Sequence, residues 1–234
     1  MRKLLPLSVT AIAFLAGATN VLANDVRYPT AADTSNSVRS EYSGAHNQIQ
    51  RAAATLRQMT EQAPGIESRL RDARAVFIMP RYGRGGLVIG GGGGQGILMV
   101  KGAKGWTGPA LYKVGSVNIG AQAGGEGGAI VMILGTDRAV QALEKRNSFS
   151  LDANAGLSIV NWSKAVETRT NAPDIVMWTN LKGLYAGAAV GVTDAKFDAR
   201  ETSRLYGKTV SAEDVLEGSV HTALADDLVS ALPA

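Results

Sequence analysis

Apolar side chains at Val38, Tyr42, Ala45, Ile49, Ala52, Ala53, Leu56, Met59 and Ala63 recur every three or four residues, which predicts one buried face of a long helix. Pro64-Gly65 breaks it. A shorter helical piece, Ile66 to Ala73, leads into the apolar run Ala75 to Met79, which predicts a short buried strand stopped by Pro80. From Gly83 to Gly128 the chain is punctuated by glycine, and this predicts short strands, bends and bulges, with alternation clearest at Val117, Ile119, Ala121 and Ala123. Ala129 to Leu134 extends the sheet. Thr136 is placed to cap a helix reaching Arg146.

Further on, Phe149, Leu151, Ala153, Ala155, Leu157 and Ile159 alternate with polar or small residues and predict one regular strand. Ile175 to Trp178 and Leu184 to Val192, joined around Asn180 to Gly183, predict an antiparallel hairpin. Ser211-Ala212-Glu213-Asp214 carries a helix-start signature ahead of the stripe Val215, Leu216, Val220, Ala223, Leu224 and Leu228. Consecutive strands between terminal helices predict an α+β fold: an antiparallel β-sheet or barrel-like core covered by N- and C-terminal helices.

Composition narrows the function classes. The 234 residues are 45% hydrophobic and 19% charged, enough to bury a core. No cysteine is present, which excludes disulfides, thiolate metal sites and cysteine nucleophiles, and two histidines, His46 and His221, are too few for a histidine-rich metal centre. Arg2-Lys3, the apolar stretch Leu4 to Ala18 and the small-residue exit Val21-Leu22-Ala23 predict a signal peptide over residues 1–23, a flexible leader over 24–37 and a single domain over 38–234. The competing reading is an uncleaved anchor, for which the apolar run is short. The expected location is therefore periplasmic or secreted, with peripheral attachment to a membrane. Loss of Arg2 and Lys3 lowers the 24 basic residues to 22 against 20 acidic. A net charge of +2 argues against nucleic acid as a partner, and thirteen aromatics give little material for a stacking platform or a membrane-barrel girdle.

Catalytic motifs are missing. Gly91, Gly93 and Gly96 match a dinucleotide fingerprint in letters only, because Ile97 to Val100 continues as strand where a helix is required. Gly207-Lys208-Thr209 ends like a phosphate loop, but Thr202 stands where its first glycine belongs. Asp226 and Asp227 are adjacent on a helix, so their side chains diverge rather than share a proton. No cofactor and no enzymatic activity are expected.

Between Arg69 and Lys104 lie Arg69, Arg71, Arg74, Arg81, Arg84, Lys101 and Lys104, opposed only by Asp72. Arginine can contact phosphate oxygens with two parallel hydrogen bonds, and lysine offers a mobile point charge. Beside exposed apolar Trp106 and Tyr112, these seven cations form a candidate site for an anionic headgroup at an acyl boundary. An ordinary solvated surface, its charges pointing in different directions, is the competing explanation.

The ordered motifs Ala75 to Pro80, Gly90 to Val100, Gly105-Trp106-Thr107-Gly108-Pro109-Ala110, Gly183-Leu184-Tyr185-Ala186-Gly187, and Tyr206-Gly207 leading to Val210 to Leu216 resemble the SYLF lipid-binding domain family over about 180 residues. An exported member of bacterial type is suggested by the leader. Ala75 stands where the family often has glycine. The resemblance implies binding of acidic phospholipids at a membrane surface, with Arg74 as the motif-matched residue; some eukaryotic members also bind actin. A protein-interaction or filament-binding module using the same face is the alternative.

Overall fold

The computed structural model describes residues 31–86, 89–119, 124–143, 146–152, 155–163, 173–181 and 192–234. The signal-peptide segment, residues 184–191 of the second hairpin strand and the Gly183 to Gly187 motif lie outside them.

Helix α1 (Ala31–Gln62) is followed by α2 (Ile66–Arg71) and four long strands, β1 (Ala75–Gly86), β2 (Ile89–Gly102), β3 (Gly105–Ile119) and β4 (Gly124–Leu134). Then come α3 (Asp137–Gln141), β5 (Ser148–Leu151), β6 (Ile159–Asn161), β7 (Ile175–Thr179) and β8 (Val192–Phe197). The chain closes with α4 (Ala199–Tyr206), α5 (Ala212–Leu216), a 3-10 turn (Ala223–Ala225) and α6 (Asp226–Ser230). The eight strands form one sheet in the order β5-β8-β3-β2-β1-β4-β7-β6, curled into a half-barrel. All neighbours are antiparallel except β6 and β7. The α+β reading is correct.

Strand alternation builds two cores. Ala75, Phe77 and Met79 of β1, Leu98 of β2, Tyr112 of β3 and Met132 of β4 enter the cluster on one face, with Phe149, Val215 and Leu216. Their neighbours Val76, Ile78, Ile97, Met99, Leu111 and Val131 face the other way and meet Ile49, Leu56 and Met59 of α1, Leu70 of α2 and Leu228 of α6. The described part of the predicted helical stripe, Ala45 to Ala63, is buried as expected.

Several expectations are corrected. Helix α1 starts at Ala31, so its first turns fall within the segment read as a leader. Pro80 does not stop β1. It lacks an N–H to donate, so the ladder shifts register around it and the strand continues to Gly86. The glycine region does not break into short pieces either. Gly127, Gly83, Gly93 and Gly115 stand in one cross-strand row over β4, β1, β2 and β3, since the ladder uses only main-chain groups. At Gly96 the missing side chain is required: a Cβ there would lie 2.1 Å from Cζ of Phe77, whose ring packs edge-on with Tyr112 and Phe149.

The strand expected from Phe149 to Ile159 is two strands at opposite edges of the sheet. The Asp152 side chain accepts from the Ala155 N–H at 2.9 Å, and Gly156 takes φ +74°, a left-handed turn that ends the extended run. The expected hairpin partner of β7, Leu184 to Val192, lies outside the described residues except for Val192, which opens β8. Both edges of β7 are taken, by β4 and β6, while β8 pairs across the sheet with β3 and β5. Helix α3 is shorter than expected but begins at Thr136 as read, with the Thr136 oxygen accepting from Ala139 N–H.

Asp174 ties these parts together. It is 7% exposed; Thr136 donates to it at 2.6 Å, and the Ser158 N–H and hydroxyl at 2.9 and 2.8 Å. The Thr136 hydroxyl, aided by Ser158 and Arg138 against the cost of burial, holds the carboxyl below its ordinary range.

Candidate binding site

The β2–β3 turn places Lys101, Lys104 and Trp106 at one end of the sheet, beside the start of β1. The Lys101 N–H donates to the Arg74 carbonyl at 2.8 Å, so these two basic positions are neighbours. Helix α2 adds Arg69 and Arg71 in its last turn, where positive charge suits the helix dipole. Lys101 Nζ donates to the Arg71 carbonyl at 3.0 Å and to the Ala234 oxygen at 3.2 Å, and lies 5.7 Å from the centre of the Trp106 ring. The Trp106 indole N–H donates to the Pro233 carbonyl at 2.7 Å. Ring, lysine and C-terminal residues thus form one interlocked corner.

Of the nine residues singled out in the sequence, this end gathers six: Arg69, Arg71, Arg74, Lys101, Lys104 and Trp106. Arg71, Arg74 and Lys104 are exposed, Arg69, Lys101 and Trp106 half-buried. Arg74 forms an ion pair with Asp137, which cancels its charge locally. Arg81 and Arg84 are not part of the cluster. At about 3.3 Å per residue, Arg81 lies roughly 20 Å and Arg84 roughly 30 Å along β1 from Arg74. Arg81 occupies an exposed row with Gln95, Lys113 and Lys196, where Lys113 pairs with Asp198 at 2.9 Å and Lys196 with Asp194 at 3.3 Å. Arg84 is placed only by register, opposite Gly92 and Glu126.

Tyr112 corrects the expectation of an exposed ring. It is 1% exposed, packs against Phe77, Phe149 and Phe197, and donates its hydroxyl to the Arg146 carbonyl. Burial raises its phenol above the ordinary range, with the Arg146 charge opposing. The alternation of β3 explains the error: position 112 shares the inner face with Ala110 and Val114, whereas Lys113 faces out.

Beside Trp106 an open cleft of about 450 Å³ runs between the β2–β3 turn and the C-terminal segment. Lys104 and Trp106 form one wall; Val220, His221, Asp226 and Val229 form the other. His221 Nε2 and Asp226 Oδ1 are 3.5 Å apart. Asp227 turns away to pair with Arg57 of α1, so the adjacent carboxylates do diverge. Thr107 Oγ1 closes the cleft floor, 2.6 Å from the Leu216 oxygen and 3.0 Å from the Val100 oxygen. The C-terminal wall was not foreseen, since nothing local in Val220 to Ser230 marks it except its helical stripe.

Among the described residues no cluster of three or more potential metal ligands occurs, and no helix is long and apolar enough to cross a membrane. The architecture is a two-faced, helix-covered half-barrel with a basic end.

A family model described as Ysc84, Las17-binding protein actin regulator, matches residues 115–234. The chain belongs to this family, which is the SYLF family its motifs resemble. It is similar to the SH3 domain-containing YSC84-like protein 1 of Bos taurus, 26% identical over 208 residues covering 81% of this chain and 59% of the relative. It is also similar to SH3 domain-containing protein PJ696.02 of Schizosaccharomyces pombe, 28% identical over 70% of this chain and 39% of the relative. LAS seventeen-binding protein 3 of Saccharomyces cerevisiae is 25% identical over 67% of this chain and 35% of its own length. The chain thus spans at most about three fifths of these relatives.

Proposed function

We propose that the protein is a noncatalytic binding module that docks an acidic protein surface at the basic end of its sheet. The observation that carries this reading is the placement of Lys101 and Lys104 beside Trp106, next to the C-terminal end of α2 with Arg69 and Arg71, while Asp72, Asp226 and the Arg74-bound Asp137 are acidic groups nearby. Fixed positive charge steers an acidic partner, and a half-buried tryptophan supplies the rigid anchor that interface centres favour. The family description, actin regulator, and the relative named as Las17-binding favour a protein partner over a lipid one.

If the leader directs export, the natural partner would be an acidic periplasmic or extracellular protein, and filamentous actin serves as a defined acidic filament for the test. N-terminal sequencing of the protein recovered from cells checks the export reading: cleavage after Ala23 supports it, and an intact Met1 contradicts it.

Acidic phospholipid is the second reading, favoured by the adjacency of Trp106 to Lys101 and Lys104. Co-sedimentation separates the two. Recovery with actin filaments at physiological salt, absent with vesicles of phosphatidylcholine and phosphatidylserine, supports the protein partner. Recovery with anionic vesicles alone, absent with neutral ones, supports the lipid. Equal recovery with neutral and anionic vesicles, or recovery that disappears between low and physiological salt, counts against a specific site.

A further inference from the structure

We propose that the cleft between the β2–β3 turn and α6 holds one large apolar side chain of an acidic, extended peptide segment. Trp106, Val220 and Val229 would surround the side chain, with Lys104 on a flanking carboxylate. This rests on the protein-partner reading above and specifies what the partner presents.

Three observations lead there. The cleft, about 450 Å³, falls at the lower end of ligand-site volumes of roughly 300–1,000 Å³, which suits one or two side chains rather than a domain surface. Its walls are mixed. Trp106, Val220 and Val229 offer apolar contact, while Asp226 offers an acceptor and His221 and Ser230 offer polar edges. An acyl chain has no N–H for Asp226; a peptide main chain supplies both donors and acceptors beside its apolar side chain. Finally, this corner already holds main chain. The Trp106 indole binds the Pro233 carbonyl and Lys101 binds the oxygens of Arg71 and Ala234, so main chain of the protein itself already packs at the Trp106 edge of the cleft and takes these donors.

Charge selects the sequence of the occupant. Lys104 in the lining, with Lys101 5.7 Å from the centre of the Trp106 ring, favours a carboxylate flanking the anchor. Asp226, 3.5 Å from His221, sits on the opposite wall and repels a uniformly acidic peptide unless its apolar residue and an N–H face that wall.

The test is an NMR titration of the purified, ¹⁵N-labelled protein with a capped hexapeptide of four glutamates around two central leucines, compared with the same peptide carrying two alanines. Trp106→Phe identifies the Trp106 indole signal among the three tryptophans. The expected result is saturable movement of that signal and of the amides of 104–108 and 220–230 with the leucine peptide, at least about fivefold weaker with the alanine peptide. Lys104→Glu, at an exposed turn, should weaken binding about fivefold or more, and Ser230→Trp, at an exposed helix position, should abolish the saturable shifts by filling the cleft.

Equal affinity for both peptides overturns the anchor proposal; if Arg71→Glu then weakens both, the basic-end reading still stands. Shifts centred on Arg81 and Lys113 overturn both. Lysophosphatidylserine micelles that move the cleft signals when the peptide does not would reassign the cleft to an amphiphile.

Discussion

Strand β1 passes through two environments. From Ala75 to Met79 it is buried on both faces, under α1 and α2 on one side and against Phe149, Val215 and Leu216 on the other. From Arg81 onward the same strand carries an exposed arginine and glycines paired with glycines of β2 and β4, while Tyr82 still reaches the inner core. The main-chain ladder resumes on both sides of β1 after the register shift at Pro80, so pairing is common to the two halves; burial of side chains distinguishes them. Charges close in sequence are consequently divided between two ends of one sheet, and in the group beside the helix-covered half Lys101 meets the Trp106 ring.

The sharpest break of this comparison is steric. Gly96→Val in the covered half must displace the Phe77 ring, and chemical denaturation should show a loss of about 3 kcal/mol. Gly115→Ala, in the glycine row where a Cβ would meet nothing within 4 Å, should shift stability by no more than about 0.5 kcal/mol. Similar losses at both positions would contradict the contrast.

Next in size, Asp174→Ala leaves the Thr136 hydroxyl and the Ser158 N–H and hydroxyl without their shared acceptor and should cost about 2–3 kcal/mol in urea denaturation near neutral pH. Because folding lowers this pKa, the ionised carboxylate stabilises the protein above its ordinary value of 3.8, and that contribution fades as pH falls through the folded value. The variant should therefore show a flatter dependence of the urea midpoint on pH below about 4. An unchanged slope would mean the hub is not ionised in the fold.

A smaller effect is expected at the cleft floor. Thr107→Val removes the hydroxyl bonded to the Leu216 carbonyl and should cost about 1 kcal/mol, read as a modest fall in Tm.

Much of the covered half is legible in the sequence. The stripe from Ala45 to Ala63 obeys helical spacing because one face must be buried, and Ala75 to Met79 is apolar without alternation because both faces are buried. Thr136 and Ser211 act as helix caps through side-chain oxygens, a signal local to four residues. Tertiary consequences are not local. Pro80 reads as a stop, yet a bulge absorbs its missing donor; Phe149 to Ile159 reads as one strand, yet the Asp152 turn sends its ends to opposite sheet edges. At the candidate site, linear density groups Arg71, Lys101 and Lys104, which the fold also brings to one end of the sheet, but it cannot measure the strand length that separates Arg81 from them, nor the parity that buries Tyr112. Pro233, His221 and Asp226 enter the site only because the chain's last residues return to Trp106.

In the proposed function, binding belongs to the helix-covered end of the sheet and not to the glycine-rich half that carries Arg81 and Arg84. Co-sedimentation with actin filaments at physiological salt, comparing Arg71→Glu/Lys104→Glu with Arg81→Glu/Arg84→Glu at matched Tm, measures it directly. The first pair should weaken binding about tenfold or more, and the second should stay within about twofold of the unaltered protein. Equal losses, or a larger loss from the Arg81/Arg84 pair, would contradict the claim.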